Sequence, residues 1–316
     1  MNGQAMTTVT TVARDIPPAT WWALAKRAAK SWSDDYAPSM GAALAYYTLF
    51  SIAPLLLIVI SVAGLVFGAE AARGEILSQL RDLMGEEGAR AVQGLLEAAH
   101  HPGKGVASTL IGISLLVIGA TSVFNELQDA LDRIWRAPAR RRSGVWSLLR
   151  MRLLSFGMIM AIGFLLMVSL VASAALAALG KLWGPFLADW ELMGHFIDFV
   201  LGFATITLAF ALIYKIMPRV RIQWRDVWVG AAVTALLFTI GKLLIGLYIG
   251  KSGVTSVFGA AASLAVLLLW VYYSAQIFLM GAEFTWVYAH TFGSLRNQPV
   301  TPPATVPVRP DAEARR

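Results

Sequence analysis

Cysteine is absent from this chain, and charge is scarce: only 14% of its 316 residues are acidic or basic. Without cysteine there is no disulfide, no thiolate nucleophile and no Cys-ligated metal. Histidine is nearly missing too, with four copies at His100, His101, His195 and His290. Metal-assisted phosphodiester hydrolysis needs carboxylates and imidazoles gathered around an ion. Glu126, Asp129 and Asp132 have helical spacing, but nothing beside them completes a cage, so neither a metal nor a nuclease is expected. No Gly-x-x-x-x-Gly-Lys-Ser/Thr segment is present to cradle a nucleotide phosphate. No cofactor and no enzymatic activity are expected. The first 20 residues contain no apolar run. A cleaved signal peptide is therefore not expected, and the first apolar segment is expected to direct insertion.

Long apolar runs are abundant. A bilayer core about 30 Å thick is crossed by about 20 apolar helical residues. Six stretches meet that length: 40–67, 106–124, 151–179, 196–217, 227–249 and 257–289. A mean hydropathy of +0.64 agrees. The expected fold is all-α, a polytopic bundle of six transmembrane helices occupying 19–290. No internal repeat is visible.

The basic residues collect in alternate gaps. Arg14, Lys26, Arg27 and Lys30 precede the first span, and Arg133 to Arg152 fill the gap after the second. Lys215 to Arg225 follow the fourth, and Arg296 to Arg316 follow the sixth. These four regions hold nineteen Lys and Arg against six in the other three gaps. The positive-inside rule then places both termini in the cytoplasm. The net charge of +7 is explained by loops facing anionic lipid, without nucleic acid.

Outside the spans, residues 1–18 and 291–316 read as disordered tails, the second rich in Pro, Val and Thr. Residues 19–33 place Trp21, Ala25, Ala28 and Trp32 on one face and Lys26, Arg27 and Lys30 away from it. That is an interfacial helix, or a helix packed on the bundle. Between 70 and 104, two apolar helical stripes flank Gly85-Glu86-Glu87-Gly88, giving an amphipathic extracytoplasmic cap.

Two groups of residues are candidates for function. Arg140, Arg141 and Arg142, flanked by Trp135 and Trp146, form a basic cluster suited to an anionic lipid headgroup, or serving topology alone. Tyr46, Tyr47, Pro54, Asn125, Glu126, Lys242, Tyr273, Gln276 and Glu283 are polar or irregular positions in or near spans, where such residues line cavities or translocation paths. Ordinary roles compete: Lys242 snorkelling toward Asp198, Glu283 paired with Lys215 or Arg225, and Pro54 as a packing kink. The small-residue pairs Gly64/Gly68, Gly246/Gly250 and Gly259/Ser263 are expected at close helix contacts.

Four segments together carry a family resemblance: Gly41–Pro54 (GAALAYYTLFSIAP), Thr121–Trp135 (TSVFNELQDALDRIW), Trp224–Ala232 (WRDVWVGAA) and Leu267–Glu283 (LLLWVYYSAQIFLMGAE). The chain resembles the YihY/BrkB family of bacterial inner-membrane proteins over roughly residues 20–290. The resemblance implies a six-span protein. Its members carry conflicting labels: ribonuclease BN, a serum-resistance virulence factor, and a factor permissive for lipid A precursor export. With the residues above, two functions are expected. One is transport or presentation of an anionic amphiphile or lipid for envelope homeostasis. The other is a membrane scaffold or assembly factor with protein partners in the envelope. A cavity open to one side favours the first, and a dry apolar core the second.

Overall fold

The structure is a computed structural model, and it describes residues 21–100, 122–138, parts of 153–178, 190–251 and 262–296. Outside the described residues lie most of the second expected span, the Arg140–Arg142 cluster with Trp146, and both expected tails apart from residues 291–296. Among the described residues the fold is all-α. The helices are α1 (Trp21–Asp34), α2 (Ala37–Phe67), α3 (Ala69–His100), α4 (122–134), α5 (Met160–Ser173), α6 (Trp190–Ile216), α7 (Trp224–Lys251) and α8 (Ala262–Thr291).

Three helices are long and apolar enough to cross a membrane: Met193–Ile216, Trp224–Ile249 and Leu264–Thr291. A fourth span is formed if the two halves of α2, Ala37–Ala53 and Leu55–Leu65, count as one. The expected six are therefore not all found among the described residues. The second run is largely undescribed, and the third is described in part, as the shorter apolar helix α5. The halves of α2 meet at 42° around Pro54, which supplies no N–H to the helix and crowds the preceding turn.

α8 is the centre of the molecule. It packs against α1, α2, α3 and α7, and α6 packs against α7. Residues 281–287 of α8 are buried without interruption, so two full turns are covered on every face. A helix surrounded in this way has no solvent face to pattern.

α7 and α8 interlock through a reciprocal pair of small residues. A Cβ on Gly230 would collide with Thr285, and a Cβ on Gly281 would collide with Thr234. Each threonine hydroxyl donates to the carbonyl four residues back in its own helix, Thr234 to Gly230 at 2.7 Å and Thr285 to Gly281 at 2.6 Å. The hydroxyls are thus satisfied without water, and the two backbones approach closely. Tyr214 of α6 joins the contact, donating to the Phe278 carbonyl at 2.7 Å. The pairs expected from sequence do not serve this role. Gly246 has open space around it, Gly64 meets Ala69 at the start of the next helix, and Gly259 lies outside the described residues.

At the other end of α8, α3 covers α2. Leu96, Val92 and Met84 of α3 bury against Ile60 and Leu267. α3 breaks inside at Gly85, whose φ of 78° and ψ of 175° interrupt the helix. That region is open almost only to glycine. Of the expected α1 face, Ala28 is buried and Trp32 packs on the core, whereas Trp21 is exposed and Leu24 is buried in addition. α1 lies along α8, with Trp21 stacked on Phe284 at 6.3 Å between centroids.

Candidate functional site

Two features stand out once the helices are in place: a buried polar cluster at the α1 end of the bundle and a lateral cavity at the α3 end. The cluster forms where the α1–α2 corner meets the end of α4 and the last turns of α8. Asp35 occupies the corner and is 3% exposed, and Glu283 of α8 is fully buried. Arg136, just past α4, donates from Nη1 to Asp35 Oδ1 at 2.7 Å. The Asp35 and Glu283 carboxyls lie within hydrogen-bonding reach of each other. Yet among the described residues Asp35 Oδ2 and both Glu283 oxygens have no donor. The two observations are compatible, because two carboxylates are both acceptors and neither can donate to the other.

Among the described residues, Arg136 Nε and the buried indole N–H groups of Trp32, Trp135 and Trp286 have no acceptor. The Arg136 guanidinium lies over the Trp286 ring at 5.5 Å, and Arg133 lies over the Tyr36 ring at 5.5 Å. Tyr36 (φ 59°) and Arg136 (φ 51°) are the non-glycine residues with positive φ among the described residues. Both flank the one ion pair. Such conformations cost about 1–3 kcal/mol each and persist where surrounding structure dictates them. Here the Asp35–Arg136 pair fixes both chain corners.

Glu283 does not meet Lys215 or Arg225, the partners expected for it. Lys215 donates to the Ile222 carbonyl and lies over the Trp224 ring at 5.4 Å. The reason is the packing of α1 along α8, which brings the α1–α2 corner to Glu283 instead. Gln276, two turns earlier on the same face of α8, reaches the Pro38 carbonyl at 3.5 Å and covers Gly41. His290, two turns later, lies against Trp286 at 4.4 Å. Gln276, Glu283 and His290 thus form a polar stripe along the side of α8 that faces α1 and the start of α2.

The other expected residues are dispersed. Tyr46 is 58% exposed and meets Tyr47 and Phe50 edge-on. Tyr273 covers Gly241 of α7. Asn125 and Glu126 lie on α4, where burial and the charge of Asp129 hold the Glu126 carboxyl above the usual carboxylate range. Asp198 accepts from Ser173 at 2.6 Å, and no ion pair joins it to Lys242 among the described residues. Trp135 is buried in the core. Around α4, Asp132 accepts the Arg219 backbone N–H at 2.8 Å and pairs with its side chain at 3.1 Å. No group of three His, Asp or Glu able to hold a metal occurs among the described residues.

The cavity lies between the second half of α2, the start of α3 and α5, and its volume is about 280 Å³. Val59 and Ala63 of α2 form one wall, and Gly163, Leu166 and Met167 of α5 another. Two polar side chains belong to it, Glu75 and Gln79, one turn apart on α3. None of the positions expected to line a cavity does so here. The volume is at the lower end of the range for small-molecule sites.

The model of the family described as "Virulence factor BrkB" matches residues 28–304. A protein of Pseudomonas aeruginosa named a UPF0761 membrane protein is 29% identical over 254 residues, covering 78% of this chain and 58% of that relative. A UPF0761 membrane protein of Ralstonia nicotianae is 27% identical over 265 residues, 82% of this chain and 57% of its own. One of Acinetobacter baylyi is 26% identical over 268 residues, 84% of this chain and 61% of its own. The chain therefore spans a little over half the length of these relatives. No solved structure matches it.

Proposed function

The chain belongs to the virulence factor BrkB family, and from that membership we propose that it is a non-enzymatic lipid-handling protein of the bacterial inner membrane. It holds an acyl-chain amphiphile, for transport or for presentation to the envelope. The cavity between α2, α3 and α5 carries this reading. An apolar recess between helices of a membrane protein borders hydrocarbon, and the molecule that matches such a wall is an acyl chain. Glu75 and Gln79 supply polar partners for a headgroup at its edge. Arg140, Arg141 and Arg142 fall in a cytoplasmic gap of the sequence, across the membrane from Glu75 and Gln79, and in this reading they attract anionic lipid of the inner leaflet separately from the cavity.

The same reading places both termini in the cytoplasm. The uneven distribution of Lys and Arg supports that orientation. So does the packing of α1 beside the C-terminal turns of α8, which puts both at one end of the bundle.

Lipid retained through purification in mild detergent is the test, read by native mass spectrometry. Gly163 lines the cavity and has open space where a Cβ would stand. Gly163→Leu is therefore expected to fill the cavity without a clash and to lower retained lipid several-fold. Replacing Arg140, Arg141 and Arg142 with Gln is expected to remove the preference for anionic species. Bulk lipid in bulk proportions, unchanged by Gly163→Leu, would overturn the reading in favour of a scaffold that recruits protein partners.

A further inference from the structure

Among the described residues, the Arg136 bond to Asp35 Oδ1 is the one donor that serves the buried carboxyls of Asp35 and Glu283. The cavity does not involve them, and the lipid reading does not need them. Asp35 already accepts from Arg136, and among the described residues Arg136 is the one cation bearing on Glu283. Two carboxylates and one guanidinium leave an unbalanced charge in a buried site, which is costly. Carboxyls sharing one site resolve that conflict by sharing a proton: one becomes a donor to the other, and the charges then balance.

We propose that Asp35 and Glu283 form a proton-binding site, in which one exchangeable proton is held between Asp35 Oδ2 and a Glu283 oxygen while Arg136 balances the remaining charge. The hydrogen in that position satisfies both orphaned acceptors at once. Every element packed here contributes a charged or titratable neighbour. Asp34 and Arg27 come from α1, Arg136 follows α4, and His290 belongs to α8, with Asp226 of α7 near His290. The site joins three separate parts of the chain through one hydrogen atom. Loss of the proton places two carboxylates against each other and drives the α1–α2 corner away from α8. The left-handed corners at Tyr36 and Arg136 are the backbone positions such a motion releases. Trp286 reports on it, because the Arg136 guanidinium lies over its ring.

The experiment uses the full chain in lipid nanodiscs. Difference infrared spectra are recorded across a pH titration in H2O and D2O, with tryptophan emission followed in parallel. A protonated-carboxyl C=O stretch is expected, shifted by deuterium and lost on raising the pH with the same midpoint as an emission change. Glu283→Gln places an amide donor where the proton was, so this variant is expected to fold. It should lack the stretch and lose the pH-dependent emission change. Absence of the stretch in the wild type, or its persistence in both Glu283→Gln and Asp35→Asn, would overturn the site. If the variants do not fold, the wild type decides: a shared midpoint supports the proposal, and a titrating stretch with flat emission refutes it. Lipid retention is a separate readout, so failure here leaves the cavity untouched.

Discussion

Arg136 is the residue on which the α1 end of the bundle depends most. Its side chain is 14% exposed and bonds to a carboxylate that is 4% exposed. Removing one partner of a buried pair leaves the other charge uncompensated, at about 3–5 kcal/mol. Arg136→Gln is therefore expected to lower the melting temperature in detergent sharply, and Asp35→Asn combined with it to recover part of the loss. No recovery in the double variant would show that the pair is not the source. Glu126 makes a contrasting case. Its carboxyl is held above the usual range by burial first and by Asp129 second. A raised carboxyl binds its proton more tightly when folded, so its favourable contribution is complete below the unfolded pKa and is lost as pH rises through the folded one. At neutral pH the ionised group is a burden. Glu126→Gln should melt higher than the wild type at pH 7, and the difference should vanish as the pH is lowered through the carboxylate range.

The helices themselves were largely legible. Apolar length announced α6, α7 and α8, and the proline in α2 announced its bend. The two stripes around Gly85 announced the broken α3. What could not be read was which faces meet. Glu283 was visible as an acid near the end of a span, but its partners lie on an earlier corner and beyond α4. No spacing rule connects residues so far apart. The α7–α8 contact was missed for another reason. A search for paired small residues finds glycine and serine, whereas this contact alternates glycine with threonine on antiparallel helices. Its signal is the repeat Gly-x-x-x-Thr at 230–234 and again at 281–285. The interlock is testable. Gly281→Val intrudes on Thr234 and should cost about 1–3 kcal/mol, the usual penalty of overpacking. Thr234→Ala opens the space, so the double variant should be more stable than the sum of the single effects predicts. Simple additivity in thermal melts would mean the helices are not in register here.

At the scale of the whole molecule, the carboxyl pair and the cavity occupy opposite ends, and α2 runs between them. It starts beside Asp35 and lines the cavity with its second half, and its 42° bend lies in between. The central position of α8 has a consequence in time rather than in space. Its Gln276 bonds to Pro38, 238 residues earlier in the chain. A ribosome adding about 5–20 residues per second needs roughly 10–50 seconds to make that stretch. For most of this interval α1 and α2 are complete while α8, a partner of both, is unmade. The Asp35 corner waits in water or against headgroups, and Trp32 has no core to enter. Assembly of the N-terminal third is therefore post-insertional, and quality control has a window of many seconds in which to recognise it as unfinished.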